Sequence, residues 1–382
     1  MTDSTLDTHT ADLDAPSEST SSPGPLPGEE QRYAVDESLG EGGMGLVVKA
    51  KDLRLQRQVA MKILSRPNPS ARKRFIQEAQ ISSQLDHPGI LPVYDLGEDE
   101  SGSPFFTMKC LPQHDTLADV IDKLRLGNVE AQLVYTFEQR VLIVQQVCRA
   151  LQYAHERGVM HRDVKPANIV LGGFGEVYLL DWGVAKLGEP EHDPPDAAAF
   201  VSASAPTNTS AGAIVGTPAY MAPEQVMEGK ADPISDVYSL CAVLYELLTL
   251  RYYLDPLPEV LVDVILAVVK SVPVEAERFF DPTLGRVPRA LSRICRQGLE
   301  KRRELRFQSA RELEEALQLW LEGRSPIVCS GTCLQRVLAR WSYHVDQHPF
   351  LVPVVSLLLA VLFVRWVVVS LWRIGEVVLA FW

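Results

Sequence analysis

His161-Arg162-Asp163-Val164-Lys165-Pro166-Ala167-Asn168 is the stretch that decides how this 382-residue chain is read. It sets a carboxylate, an amine and an amide on one short loop. Together these suit the transfer of a phosphoryl group from a nucleotide to a hydroxyl. Asp163 can accept the hydroxyl proton, Lys165 can neutralise charge growing on the γ-phosphate, and Asn168 can offer an oxygen to a magnesium ion. His-Arg-Asp alone occurs by chance on solvated loops, so the reading needs the other parts of such a site in the right order.

They are present. Upstream, Leu39-Gly40-Glu41-Gly42-Gly43-Met44-Gly45-Leu46-Val47-Val48 spaces its glycines as G-x-G-x-x-G and then x-V. The pattern alone is weak, because a dinucleotide-binding turn shares it. A dinucleotide turn must open a helix after the third glycine, whereas Leu46-Val47-Val48 is β-branched and strand-like. The segment therefore predicts two strands folded over a hairpin whose bare N–H groups can close on phosphates. Val59-Ala60-Met61-Lys62 follows as a short apolar strand ending in a lysine. Lys62 is either a solvated edge lysine or a fixed cation for the α- and β-phosphates. The second reading needs an orienting carboxylate, and Glu78, in the helical-looking run Arg72 to Ala79, is the candidate.

Downstream, Val177-Tyr178-Leu179-Leu180-Asp181-Trp182-Gly183 reads as a strand running into an acidic turn. Asp181 could chelate Mg²⁺ together with Asn168, since hard oxygen ligands plus phosphate oxygens suit that ion. Gly216-Thr217-Pro218-Ala219-Tyr220-Met221-Ala222-Pro223-Glu224 is a second long run of specific residues. The stretch from Gly188 to Val215 between them is rich in Ala, Ser, Thr, Pro and acid. It predicts a loop in which Ser202, Ser204, Thr207, Thr209 and Ser210 are phosphorylation candidates.

With these motifs in this order, the chain resembles the eukaryotic-type (Hanks-type) serine/threonine protein kinases, and their bacterial branch in particular. The residues that carry the resemblance are Gly40, Gly42, Gly45, Val47, Lys62, Glu78, Asp163, Lys165, Asn168, Asp181, Gly183, Thr217, Glu224, Asp236 and Arg306. It extends from about Tyr33 to Gly323. The resemblance implies an α+β fold of two lobes, a β-rich N-lobe (about 33–110) and a helical C-lobe (about 111–323), with ATP and Mg²⁺, or Mn²⁺ in its place, between them. It implies that Ala60, Met108 and Cys110 join the glycine loop in the nucleotide site, with Met108 as gatekeeper and the adenine held by hinge backbone groups. It also implies a buried Glu224–Arg306 ion pair, Asp236 bracing the catalytic loop, and control through Arg162 by phosphorylation of the Gly188–Val215 stretch. The departures are Trp182 where most such kinases carry Phe, Lys109 where the hinge often starts with Glu, and Ile234 where Arg is frequent. None removes a phosphate or metal contact.

Composition sets the outer limits. The formal net charge is −12, which argues against broad nucleic-acid binding. Residues 1–30 carry Asp3, Asp7, Asp12, Asp14, Glu18, Glu29 and Glu30 without Lys or Arg, and read as a disordered leader. Cys110, Cys148, Cys241, Cys295, Cys329 and Cys333 form no C-x-x-C pair, so buried free thiols in a reducing compartment are expected. Helices are predicted over Phe137 to Arg157, stopped by Gly158, and over Ser235 to Leu250, buried all round. A third follows a capping box at Ser309-Ala310-Arg311-Glu312, with Leu313, Ala316, Leu317, Trp320 and Leu321 on one face and Gly323 at its end. The segment Thr116 to Thr136 is long for a hinge-to-helix connection, and nothing in its residues explains it.

Phe350 to Val369 is nearly all Leu, Val, Ala and Phe. At about 1.5 Å per residue such a run crosses about 30 Å, the thickness of a bilayer core. Arg365 lies past the midpoint and can snorkel, and Trp366, Trp372 and Trp382 suit the interface. The expectation is a juxtamembrane linker over 324–348, a single transmembrane helix over 349–372 and a short tail over 373–382. No extracytoplasmic sensor domain is expected, and the kinase domain stays on the cytoplasmic side. A helix lying in the interface is the runner-up. The expected activity is transfer of the ATP γ-phosphate to Ser and Thr of protein substrates, with autophosphorylation in trans within a homodimer. The alternative is a membrane-tethered pseudokinase scaffold, which would require a damaged phosphate or metal site, and none is visible.

Overall fold

The computed structural model describes residues 32–42, 45–65, 68–99, 101–111, 114–182, 186–187, 218–324 and 365. The leader, the Gly188–Val215 stretch with its phosphorylation candidates, Gly183, Thr217 and the expected span other than Arg365 lie outside them. Among the described residues no helix is long and apolar enough to cross a membrane.

The first half of the fold is a five-stranded antiparallel sheet of order β1-β2-β3-β5-β4. Its strands are β1 (Tyr33–Gly42), β2 (Gly45–Asp52), β3 (Arg57–Leu64), β4 (Val93–Glu98) and β5 (Pro104–Lys109). Gly42 pairs with Gly45, so β1 and β2 do form a tight hairpin over the glycines. Strand alternation then divides β3. Val59 and Met61 pack with Val48 and Ala50 into one small core. Residues of the other parity, Ala60 and Lys62, stand opposite Met108 and Phe106 of β5. On that side helix α1 (Pro69–Gln84) covers the sheet with Phe75 and Ala79. Asn68 starts α1 by accepting a hydrogen bond from the Ala71 N–H, and Pro69 follows in the first turn.

The second half is helical. Its elements are β6 (His114–Thr116), α2 (Leu117–Arg125), α3 (Val129–Val134), α4 (Phe137–His155), β7 (Val159–Met160), β8 (Ile169–Gly172), β9 (Val177–Leu179), β10 (Lys186–Leu187), α5 (Pro223–Glu228), α6 (Pro233–Thr249), α7 (Leu261–Lys270), β11 (Phe280–Asp281), β12 (Gly285–Arg286), α8 (Arg289–Gly298) and α9 (Ala310–Leu321). One large core is built around α4 and α6. Every residue of α6 from Ser235 to Thr249 is buried, in keeping with its nearly continuous apolar sequence. Asp232 caps α6 two residues earlier than the apolar run suggests. Gly158, at φ 73°, turns the chain out of α4 into β7.

One helix start differs from its sequence reading. Ser309 Oγ accepts the Glu312 N–H as expected, but the Glu312 carboxylate accepts the N–H of Gln308 rather than that of Ser309. The reciprocal half of the box is thus displaced by one residue. The unexplained Thr116 to Thr136 segment folds as α2 and the short α3. Thr116 and Asp119 make a full capping box for α2, and Asn128 caps α3.

Candidate active site

Three chain segments converge where the sheet meets the helical half. The first is β3. Lys62 leaves the strand on the face shared with Ala60, and its Nζ donates to Glu78 Oε1 of α1 at 2.6 Å. The same Nζ donates to Asp181 Oδ1 at 3.1 Å. Burial alone would lower the Lys62 ammonium, but the charges of Asp181 and Glu78 outweigh it and hold its pKa above the usual lysine value. Burial raises the Glu78 carboxyl, and the Lys62 charge with its hydrogen bond offsets only part of that. The Asp181 side chain is 57% exposed, and although partial desolvation raises its pKa, the nearby Lys62 charge with its hydrogen bond outweighs this and leaves the group below its ordinary value.

The second segment is the loop between β7 and β8. His161 is fully buried, and its ring lies edge-on to Trp182 at 4.7 Å between centroids. Its Nδ1 accepts the Asp163 N–H at 3.3 Å, which leaves Nε2–H to donate to the Leu180 carbonyl at 2.7 Å. Asp236 of α6, also fully buried, accepts from the backbone N–H groups of His161 at 2.8 Å and Arg162 at 2.7 Å. It also bonds His155 Nε2 at 2.8 Å. These bonds hold Arg162 at φ 72°, a left-handed conformation that a non-glycine residue adopts at a cost of about 1–3 kcal/mol. The Asp163 carboxylate is partly exposed, its side chain by 22%. It takes Lys165 Nζ at 2.7 Å and Asn168 Nδ2 at 3.2 Å on one oxygen, Oδ2. Asn168 also donates to the Asp163 carbonyl, so among the described residues no donor reaches the Asn168 side-chain oxygen.

The third segment follows β9. The Leu180 N–H donates to the Asn168 carbonyl at 2.8 Å, which brings Asp181 alongside the loop at φ 59°. Trp182 is buried, and its indole N–H donates to the Leu179 carbonyl at 3.2 Å. Lys62, Glu78, Asp163, Lys165, Asn168 and Asp181 are therefore brought together.

The remaining expected positions lie on the same side of the sheet. Val47 pairs with Lys62 across β2 and β3, and Ala60 pairs with Met108 across β3 and β5. Cys110 follows directly after β5 and is partly exposed. A side chain at Gly45 would put its Cβ 2.2 Å from the Ile63 carbonyl oxygen, so the fold itself requires that glycine. A Cβ at Gly40 would meet nothing within 4 Å, so the fold leaves that position free. Gly42 holds the hairpin register with Gly45.

Four contacts were not read from sequence. Lys109, noted only as a departure, donates to the Tyr178 hydroxyl at 2.5 Å and ties the hinge to β9. His155 and His161 brace the loop through Asp236 and Leu180. Buried polar side chains at helix ends have no periodicity that would flag them. The expected Glu224–Arg306 pair is present, bidentate at 2.7 and 3.0 Å, with Ser235 Oγ donating to Glu224 at 2.9 Å. Gln225 Nε2 donates to the Arg162 carbonyl at 3.1 Å, linking α5 to the loop.

Residues 33–317 match the Protein kinase domain family, and the chain belongs to that family, in the Hanks-type serine/threonine branch found in bacteria. Among its relatives are proteins named serine/threonine-protein kinase PknD. That of Protochlamydia amoebophila is 34% identical over 331 residues, 83% of this chain and 33% of the relative. That of Chlamydia trachomatis serovar L2b is 34% identical over 334 residues, 82% of this chain and 34% of the relative. The Chlamydia caviae protein is 39% identical over 233 residues, 58% of this chain and 24% of the relative. The chain thus spans about a third of the length of these first two relatives.

Proposed function

We propose that this chain transfers the γ-phosphate of ATP to serine and threonine hydroxyls of proteins, itself included. The observation that carries the reading is the Lys62 ammonium closed on both Glu78 and Asp181, beside a loop that presents the Asp163 carboxylate. Lys62, held by Glu78, takes the α- and β-phosphates. Gly40, Gly42 and Gly45 let backbone approach them, and Val47, Ala60, Met108 and Cys110 surround the base. Asp163 orients the substrate hydroxyl and accepts its proton, while Lys165 offsets charge on the transferring group.

The donor set fits a hard divalent cation. Asn168 has its amide oxygen open and Asp181 supplies a carboxylate, while no group of three or more His, Cys, Asp or Glu among the described residues could hold a metal alone. Two protein oxygens plus phosphate oxygens is the pattern that suits Mg²⁺, with Mn²⁺ as a substitute. When bound, such an ion neutralises phosphate charge. The protein's own contribution is preorganised charge rather than covalent chemistry.

Control by phosphorylation within Gly188–Val215 belongs to the same reading. Arg162 Nε is buried and has no hydrogen-bond partner among the described residues. The apolar run Phe350 to Val369 supports a single membrane span with the kinase domain on the cytoplasmic side, and a homodimer would allow phosphorylation in trans. Asp163→Asn and Lys62→Ala should each abolish incorporation of labelled phosphate into the chain and into a generic basic protein. Unchanged incorporation in either variant refutes the assigned roles. Retention of the full chain in the membrane fraction after alkaline carbonate washing tests the span.

A further inference from the structure

Helix α3 and the start of α4 carry an apolar surface that the kinase reading does not use. Leu126, Val129 and Leu133 are 86%, 69% and 72% exposed, and Val134 is exposed beside them. Ala131 is the one buried residue of α3. Burying so little, α3 gains almost nothing from packing on α2 and needs another reason to be apolar.

Helix α4, which follows α3 after two residues, has an exposed apolar residue of its own. Helix α9 runs antiparallel to α4. Arg311 contacts Gln152 and Glu156, Glu314 pairs with Arg149, and Gln318 bonds Gln145. On α4 these partners form the stripe 145, 149, 152, 156, and the same spacing extends backwards to Leu142 and Glu138. Both are exposed, Leu142 by 38%. Helix α9 ends at Leu321, and Gly323 at φ 69° turns the chain so that the Arg324 N–H caps the Leu319 carbonyl at 2.8 Å. At about 1.5 Å per residue, Leu321 lies level with Leu142. The described chain therefore ends at the point where the stripe becomes uncovered.

We infer that residues 334–345 of this same chain, which lie outside the described residues, dock as an amphipathic helix on the face formed by Leu126, Val129, Leu133 and Leu142. Leu334, Val337, Leu338, Trp341 and Val345 recur at i, i+3, i+4, i+7 and i+11, a single apolar stripe. Arg336 and Arg340 flank it four residues apart, and exposed Glu130 and Glu138 flank the receiving face. The ten residues from Arg324 to Leu334 give a tether that reaches up to about 33 Å when extended. The docked helix would continue the α4–α9 seam and fix the kinase domain relative to whatever follows residue 345.

Hydrogen–deuterium exchange on the full chain in nanodiscs of neutral lipid tests this. Leu338→Asp should speed exchange across residues 126–142 by about tenfold, since an uncovered short helix opens locally. The pair E130R/E138R should do the same, and adding R336E/R340E should restore slow exchange, which a merely structural role for either glutamate would not. Equal exchange in the native chain and Leu338→Asp overturns the inference. So does protection that grows with protein concentration, which would assign the face to a second copy. Protection that appears only in anionic nanodiscs would assign it to the membrane and overturn the inference too.

Discussion

At the scale of single residues, Lys62 shows how much depends on charge placed in one narrow space. Its ammonium faces two carboxylates, and the cost of burying it is offset only while both remain ionised and close. Glu78→Gln should keep the fold yet loosen Lys62, lowering phosphate transfer on the order of 10²-fold through misplacement; steady-state kinetics against ATP concentration checks it. Trp182 is a different case. Its ring fills the space against His161, and its N–H has a partner in Leu179. Trp182→Phe keeps the ring contact and gives up one hydrogen bond, a loss of about 1 kcal/mol. Trp182→Ala empties the site, at about 3–5 kcal/mol. Urea denaturation of the two variants should separate them by at least the difference.

At the scale of elements, the glycine hairpin separates what the fold needs from what the ligand needs. Gly45→Ala forces a Cβ against the Ile63 carbonyl in the paired strand, and β2 and β3 must part to relieve it. A loss of about 1–3 kcal/mol is expected. Gly40→Ala meets open space and should change stability by no more than about 0.5 kcal/mol. Its effect should fall on the Michaelis constant for ATP, where a bare backbone is required. Thermal unfolding and ATP kinetics on both variants test the contrast. Helix α9 has a comparable division: Ser309→Ala removes the acceptor of the Glu312 N–H and should cost about 1 kcal/mol.

For the whole molecule, the Glu224–Arg306 pair joins α5 to the segment before α9 across the buried base of the helical half. Burial raises the Glu224 carboxyl, but its bonds from Arg306 reverse this and hold it below the usual range. Arg306→Met leaves that carboxylate buried without a counter-charge and with only the Ser235 hydroxyl beside it, and a loss of about 3–5 kcal/mol follows. Lys301, nearby, donates to the Tyr238 hydroxyl and the Val268 carbonyl, yet its charged form is disfavoured. Burial and the Arg306 charge push its pKa down to about 8, from 10.5. Between those values the unfolded chain binds more protons than the folded one, so this residue's contribution to stability grows as pH rises. Denaturation of native chain and Lys301→Met at pH 7 and pH 9.5 should show the difference between them shifting in favour of the native chain; a constant difference would refute the assignment.

The residues to which the proposed function gives phosphate, metal and hydroxyl can be picked out from the chain alone, because that chemistry calls for particular side chains at short, fixed spacings. Asp163, Lys165 and Asn168 share one loop, and Gly40, Gly42 and Gly45 share one hairpin. The long apolar periods of α4 and α6 were legible for a similar reason, since burial imposes a repeat. What tertiary structure alone decided is the set of contacts made across the chain by isolated polar groups. Lys62 closes on an Asp181 that is 119 residues away, Lys109 reaches Tyr178, and His155 joins the Asp236 carboxylate that the family resemblance already placed under the loop. No local pattern encodes such pairings, because each is selected by the cost of leaving a buried donor or acceptor alone, and that cost exists only once the chain has folded.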